Sequence, residues 1–160
     1  MSPRAAWRLE SLGFADVYDY TAGKLDWMAA GLPTEGTNAL RPRAGGLARK
    51  DTPTSGLQDR LADVRDRVRK LGWDAVVVVN QERVVLGLLR SKELDLDGDQ
   101  PIARVMRPGP STFRPFVLVK EMARLMAEHN LESSPVTTSD GRLVGLLLRK
   151  DVMAAASADS

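Results

Sequence analysis

A chain of 160 residues, 43% hydrophobic and free of cysteine, is sized for one domain or for one domain with an appendage. Its 23 basic and 21 acidic residues are interspersed and sum to +2, which argues against a broad nucleic-acid surface, and the missing thiols exclude disulfides, thiolate nucleophiles and cysteine-ligated metals. No purely apolar run is longer than Ala75 to Val79, which falls far short of the ~20 residues that cross a bilayer, and the opening Met-Ser-Pro-Arg lacks the apolar stretch of a secretory signal, so a cytoplasmic protein with neither a membrane nor a nucleic-acid partner is expected.

In chain order, Ser2 is placed to cap a helix with Pro3 at its first position and Gly13 at its end, which puts Ala5, Leu9 and Leu12 on one face. Phe14 to Tyr20 reads as a short strand, and Gly23 to Ala30 as a second helix stopped by Gly31 and Pro33. Thr34 to Gly56 is rich in Gly, Pro, Thr, Arg and Lys and offers almost nothing to bury, so it reads as a linker with some order against the core. From Leu57 to Leu71 the apolar positions 57, 61, 64, 68 and 71 step by four and three, the stripe of an amphipathic helix. Ala75 to Val79 and Val84 to Leu89 read as paired strands turning at Asn80 to Arg83. Leu118 to His129 is helical with Leu118, Met122, Leu125 and Met126 inward. Pro135 to Thr138 and Leu143 to Leu148 are strands joined by Ser139-Asp140-Gly141, a hairpin signal. A last helix begins near Asp151.

The second half of this order restates the first. Shifted by 58 residues, Val85-Leu86-Gly87-Leu88-Leu89 falls on Leu143-Val144-Gly145-Leu146-Leu147, Thr54 on Thr112, Leu61 on Val119, Val64 on Met122, Val68 on Met126, Val78 on Val136, Lys92 on Lys150 and Glu93 on Asp151. A fixed period means one supersecondary unit used twice. Two copies are expected to close into one body with a pseudo-twofold axis and a cleft between them. The fold class is therefore α/β (α+β): two repeats, each of helix, strand, turn, strand and a charged helix start, behind a short helix-strand-helix appendage.

These residues resemble a tandem pair of cystathionine-beta-synthase (CBS) domains, the Bateman module, whose pattern is a helix, a Pro-Val strand, an acidic-glycine turn and Gly-x-x-Thr-x-x-Asp opening a helix. The second copy carries Ser134-Pro135-Val136, Asp140-Gly141, Leu143-Val144-Gly145 and Asp151, with Leu148 in the Thr position. In the first copy Val77 replaces the proline, Arg90 the Thr and Glu93 the Asp. Residues 1–36 resemble the carboxy-terminal end of a rhodanese domain through Leu9 to Phe14, Val17 to Tyr20, Gly23 and Trp27-Met28-Ala29-Ala30-Gly31-Leu32-Pro33. The cysteine loop of that family is lacking, and without a thiol this chain is not expected to transfer sulfur. The expected organisation is a rhodanese-like remnant at 1–36, a linker at 37–48, and repeats at 49–104 and 105–158.

The Bateman resemblance implies a regulatory module that is not an enzyme and that binds AMP, ADP, ATP or S-adenosylmethionine between its repeats. No cofactor, metal or catalytic residue is expected. Asp151, at a helix start, would accept hydrogen bonds from ribose hydroxyls, with Glu93 in the same role in the first copy. Arg149, Lys150, Arg114 and Arg90 would meet phosphates, Val76, Val136 and Leu148 would flank the purine, and Thr54, Thr112 and Ser134 would complete the site. The resemblance also implies a homodimer paired through the module's helices, with an effector protein as a further partner. An Asp at a helix start is equally a plain helix cap, and a structural dimerisation module with a decayed ligand site is the competing reading.

Other signals point to structure. Asp95-Leu96-Asp97-Gly98-Asp99 has its glycine fourth, where a calcium loop needs it sixth, and reads as a polar connection. His129 falls at a helix end, Met106, Met122 and Met126 read as core and interface filler, and Trp73 as a packing residue.

Overall fold

The computed structural model describes residues 3–18, 23–30, 32–36, 39, 41–96 and 99–158. Its elements in order are α1 (Pro3–Ser11), α2 (Gly23–Ala29), α3 (Ala44–Leu47), β1 (Thr54–Ser55), α4 (Leu61–Lys70), β2 (Ala75–Val79), β3 (Val85–Arg90), α5 (Ser91–Leu94), α6 (Ile102–Val105), β4 (Arg107–Pro108), α7 (Val119–Glu128), β5 (Ser133–Thr137), β6 (Leu143–Leu148) and α8 (Arg149–Ala158).

The 58-residue period holds at the level of single hydrogen bonds. One sheet has the order β1-β2-β3-β4, with β1 parallel to β2 and the remaining pairs antiparallel. Within it Ala75 faces Arg90 and the ladder slips between Val78 and Val79. In the second hairpin Ser133 faces Leu148 and the ladder slips between Val136 and Thr137, the same places one period later. Two isolated bridges, Phe113 to Val136 and Arg49 to Leu146, extend the β5-β6 pair where β1 and β4 extend the other. The hairpin tips meet across the pseudo-axis: the Val85 N–H donates to the Gly141 carbonyl at 3.0 Å and the Leu143 N–H to the Arg83 carbonyl at 2.9 Å. Arg83 takes a positive φ of 65° where the second copy has Gly141 at 85°, so the first turn holds a left-handed residue without glycine's freedom.

Three apolar clusters fill the body. One is built on the second repeat, around Val119, Met122, Met126, Val136, Leu147 and Val152. One is built on the first, around Leu61, Val64, Val68, Val76, Val78 and Leu89. The third joins them, with Ala75, Val77 and Leu88 against Leu143 and Leu146. Strand alternation explains the division, since Val76 and Val78 face α4 while Val77 faces the other hairpin.

The leading segments are exchanged. Ala44 and Ala48, in and just after α3, are buried in the cluster of the second repeat, while Ile102 of α6 is buried in that of the first. The exchange is itself symmetric: the Ala44 N–H donates to the Val117 carbonyl and the Ile102 N–H to the Asp59 carbonyl, both at 2.9 Å. The segment expected as a linker at 37–48 thus contains α3, the register partner of α6.

Several expectations are corrected. Residues 14–18 form no strand; they are mostly exposed, and an unpaired segment leaves its backbone groups to water. The rest of that expected strand, positions 19 and 20, lies outside the described residues, as do Ser2 and Gly31. Leu12 sits past the end of α1 and is 60% exposed. The helix expected from Leu57 begins at Leu61, because Gly56 to Asp59 turns first, with the Asp59 carboxylate accepting the Gly56 N–H at 3.1 Å. Leu57 still packs inward, but Leu71 follows the helix end and is exposed. The last helix, expected to begin near Asp151, does so, with Arg149 as its first residue. Asp99 and Asp95 of the acidic connection pair with Arg60 and Arg69; Asp97 and Gly98 lie outside the described residues.

Candidate functional site

A cavity of about 290 Å³ opens where the two hairpins diverge from their joined tips. Its walls come in register pairs from the two repeats: Asp74 with Glu132, Ala75 with Ser133, Arg90 with Leu148, Ser91 with Arg149, and Lys92 with Lys150. Partners in each pair are one repeat period apart, so the cavity lies on the pseudo-twofold axis. The starts of α5 and α8 both reach it, because each follows directly on the last strand of its hairpin.

Of the residues expected to bind a ligand, Arg90, Leu148, Arg149 and Lys150 meet in this cavity. Arg90 is half-buried, and its guanidinium donates to the Ser133 carbonyl at 3.0 Å and to Ser133 Oγ at 3.3 Å. Among the described residues no carboxylate hydrogen-bonds to it, although Glu93 and Glu132 lie near enough to favour its charge. Burial, and then the charge of nearby Arg107, disfavour its charged form and lower its pKa. Arg149 donates to Glu132 Oε1 and to Asn130 Oδ1, both at 3.2 Å.

The two carboxylates expected to hold ribose are already engaged, each by an arginine from the leading segment of the other repeat. Arg49 grips Asp151 through both carboxylate oxygens, Nε to Oδ2 at 2.7 Å and Nη2 to Oδ1 at 3.1 Å. Its guanidinium also lies 5.8 Å from the centre of the Trp73 ring. The Arg49 hydrogen bond holds the Asp151 carboxyl below the usual carboxylate range. One period away, Arg107 Nε donates to Glu93 Oε1 at 2.6 Å, and the Arg90 N–H donates to Glu93 Oε2 at 3.0 Å. Burial pushes the Glu93 carboxyl up, but these donors outweigh it and hold it low. Arg90 therefore meets Glu93 through its backbone, while its side chain turns to the second repeat.

Other expected site residues lie elsewhere. Val76 and Val136 are fully buried in the two repeat cores and offer no surface to a purine. Their side chains point to α4 and α7, the faces that strand alternation assigns to the core. Ser134 is buried, with its hydroxyl donating to the Ser111 carbonyl at 2.7 Å. Arg114 donates to Thr137 Oγ1 at 2.7 Å and to the Thr138 carbonyl, away from the axial cavity. Thr112 is exposed. Thr54 lines a separate cavity of about 510 Å³ beside Ser55, Asn80 and Gln81. Sequence reasoning missed Arg49, Lys92, Ser133 and Glu132. The register that pairs Lys92 with Lys150, and Arg49 with Arg107, was the signal available for the first two.

A model of the CBS domain family matches residues 102–158. An uncharacterised protein of Methanopyrus kandleri is 24% identical over 117 residues, which cover 68% of this chain and 60% of that protein. Inosine-5′-monophosphate dehydrogenase of Korarchaeum cryptofilum is 27% identical over 111 residues, 69% of this chain and 23% of the enzyme. The chain thus spans less than two thirds of either relative. Among solved structures, the cytosolic domain of the Mg2+ channel MgtE in complex with ATP is 26% identical with a TM-score of 0.65, covering 72% of this chain and 50% of that one. CBSX2 in complex with AMP shares the fold at 20% identity and a TM-score of 0.62, covering 69% of this chain and 91% of that one. So does a CBS domain pair in complex with 5′-methylthioadenosine and S-adenosyl-L-methionine, at 15% identity and a TM-score of 0.66, covering 75% and 99%. The family match is confined to residues 102–158, and the two repeats together share the fold of these solved structures.

Proposed function

We propose that this chain is a regulatory module that binds an adenosyl compound between its repeats. The observation that carries the reading is the axial cavity, lined in register by both repeats, in a fold whose solved relatives hold ATP, AMP and S-adenosylmethionine. The ribose hydroxyls would replace Arg49 on Asp151, since both carboxylate oxygens are needed for a vicinal diol and both are taken by the guanidinium. A thermal-shift screen with AMP, ADP, ATP and S-adenosylmethionine tests this. A ligand at 100 times its Kd adds about 2.7 kcal/mol of stability, a readily measured rise in Tm, and no rise with any of the four would refute it. Asp151→Ala is expected to weaken binding by about ten- to a hundredfold; unchanged affinity would remove Asp151 from the site.

The competing reading is a structural pairing module with a decayed ligand site. The buried Val76 and Val136 and the occupied carboxylates favour it. A homodimer through the module's helices belongs to either reading, as does an effector protein as partner. Residues 1–36 are proposed to be a rhodanese-like remnant without sulfur-transfer activity.

A further inference from the structure

The two repeats differ at the end of their first long strand, and the difference leaves a space. In the second repeat Arg114 lies over the end of β5, its guanidinium donating to Thr137 Oγ1 at 2.7 Å and to the Thr138 carbonyl. One period earlier stand Gly56, Val79 and Asn80. All three line the cavity of about 510 Å³ beside Thr54, together with Asp59 and Arg67. The register holds in the backbone as well as in the sequence, since Ser55 pairs with Val78 as Phe113 pairs with Val136. The first repeat thus keeps the place of a guanidinium and lacks the guanidinium.

The acceptor is kept too. The Asn80 carbonyl accepts the Arg83 N–H at 3.0 Å, as the Thr138 carbonyl accepts the Gly141 N–H at 3.1 Å. A carbonyl oxygen has two lone pairs. The second, which Arg114 uses at Thr138, meets no side-chain donor at Asn80 among the described residues. Ser55, also in the wall, is 4% exposed, and its hydroxyl has no hydrogen-bond partner among the described residues. The first repeat also adds a charge, because Asp59 stands where the second has Val117. Asp59 Oδ2 accepts the Gly56 N–H at 3.1 Å, and Oδ1 lies 3.5 Å from where a Cβ on Gly56 would be. The cation in the wall, Arg67, is half exposed, donates to the Thr54 carbonyl at 2.8 Å and approaches Asp59 only to 3.9 Å. A carboxylate held this loosely still has a charge-assisted hydrogen bond to offer, about twice as strong as a neutral one.

We propose that this cavity of the first repeat is a binding site for a small guanidinium compound, arginine or a relative of it, whose head takes the place that Arg114 fills in the second repeat, with the Asn80 carbonyl and the Asp59 carboxylate as its acceptors. The planar fork of a guanidinium suits two acceptors at once, and the cavity lies within the roughly 300–1,000 Å³ of ordinary ligand pockets. It shares no residue with the axial cavity, so the proposal stands or falls apart from the adenosyl reading.

NMR titration of the isotope-labelled chain with L-arginine, and with L-citrulline, which has a neutral head of the same shape, tests it. Arginine should give saturable shifts at the amides of Gly56, Asn80 and Gln81, and citrulline should bind about tenfold more weakly or less. Gly56→Arg supplies the side chain that the second repeat has. A Cβ there meets nothing closer than 3.5 Å, so the variant should fold and should no longer bind arginine, whereas Gly56→Ala should bind it as the wild type does. Asp59→Asn keeps an acceptor for the Gly56 N–H and should bring arginine down to the level of citrulline. Arg67→Ala removes the competing cation and should tighten arginine. N-acetyl-L-arginine amide presents the head as a protein chain would, and should bind no more tightly than arginine; tighter binding would overturn the free compound in favour of an arginine on a partner protein. Equal binding of arginine and citrulline, arginine binding that survives Gly56→Arg, or the absence of saturable shifts at these amides would overturn the site.

Discussion

If Arg49 occupies the place of a ribose, removing it should help the ligand and harm the empty protein. Arg49→Ala deletes the guanidinium from both Asp151 oxygens and from the face of Trp73, while leaving the backbone pairing of Arg49 with Leu146, at 2.9 and 3.1 Å, intact. The side chains of Arg49 and Asp151 are 42% and 27% exposed, so water screens the pair and its worth falls in the modest range of surface ion pairs. The expected loss of Tm is therefore a few degrees at most. A ribose that no longer has to displace the guanidinium should bind on the order of threefold more tightly. Calorimetry of adenosine and ATP on the wild type, Arg49→Ala and Arg49→Lys reads both effects when run beside melting curves. Adenosine isolates the contribution of the ribose, because it brings no phosphate to the cationic cavity. A tenfold loss of adenosine affinity in Arg49→Ala would show that the arginine contacts the ligand and does not compete with it, and would refute the reasoning.

Gly145→Ala should cost more than Gly87→Ala, although the two positions are one period apart. A methyl at 145 would lie 2.6 Å from the Arg49 carbonyl and 3.0 Å from the Ala48 Cβ, whereas at 87 it meets chiefly the flexible end of Met106 and a carbonyl at 3.1 Å. Overpacking of this kind costs about 1–3 kcal/mol, and equal melting temperatures for the two variants would contradict the difference. Acid should destabilise the protein through Glu93 and Asp151: both carboxyls are held below their ordinary values, so the stability they contribute is present above about pH 4 and is lost as the pH falls through their folded pKa values. Melting curves should be level from about pH 7 to 5 and fall below about pH 4, less steeply in Arg107→Ala. Deleting residues 1–18 should leave the melting temperature nearly unchanged, because Trp7, Phe14 and Tyr18 are 65%, 60% and 81% exposed, whereas deletion through residue 48 should unfold the second repeat by removing Ala44 and Ala48 from its core. Circular dichroism of the two truncations distinguishes them. Sedimentation at micromolar concentration should return a dimer, and a monomer alone would reject the proposed homodimer.

The hairpins were legible because their signals are local. Ala75 to Val79 is a continuous apolar run, Asp140-Gly141 marks a turn, and the repeat puts each strand in its register. Residues 42–48 were not legible, since Ala44-Gly45-Gly46-Leu47 has little apolar surface and resembles a linker. Alignment with Ile102-Ala103-Arg104-Val105 identifies it, because Leu47 falls on Val105 and Arg49 on Arg107. The site was half legible. Position along the chain brings Arg90, Arg149 and Lys150 to the ends of strands and starts of helices. It does not reveal that Val76 and Val136 face inward: Val76 lies in a fully apolar strand with no alternation to mark its two faces, and the strand of Val136, Ser133 to Thr137, is buried at every position although three of its five residues are polar. Nor does it reveal that arginines hold the two acids. Arg107 lies only 14 residues from Glu93, but Arg49 lies 102 residues from Asp151, and only the closure of the two repeats brings that pair together.

The exchanged leading segments have a consequence for the order of assembly during synthesis. Ala44 and Ala48 leave the ribosome before any of the residues they pack against, and their cluster closes only when Val119, Met122, Val136 and Leu147 have been made. The first repeat faces a shorter wait, because its missing piece, Ile102, follows soon after Leu94. Contacts of long sequence separation slow folding. The amino-terminal repeat should therefore gain its core first and hold Arg49 exposed until the end. The Arg49–Asp151 pair is then among the last contacts to form, and it reports that the chain has been completed as one cooperative body rather than as two beads on a string.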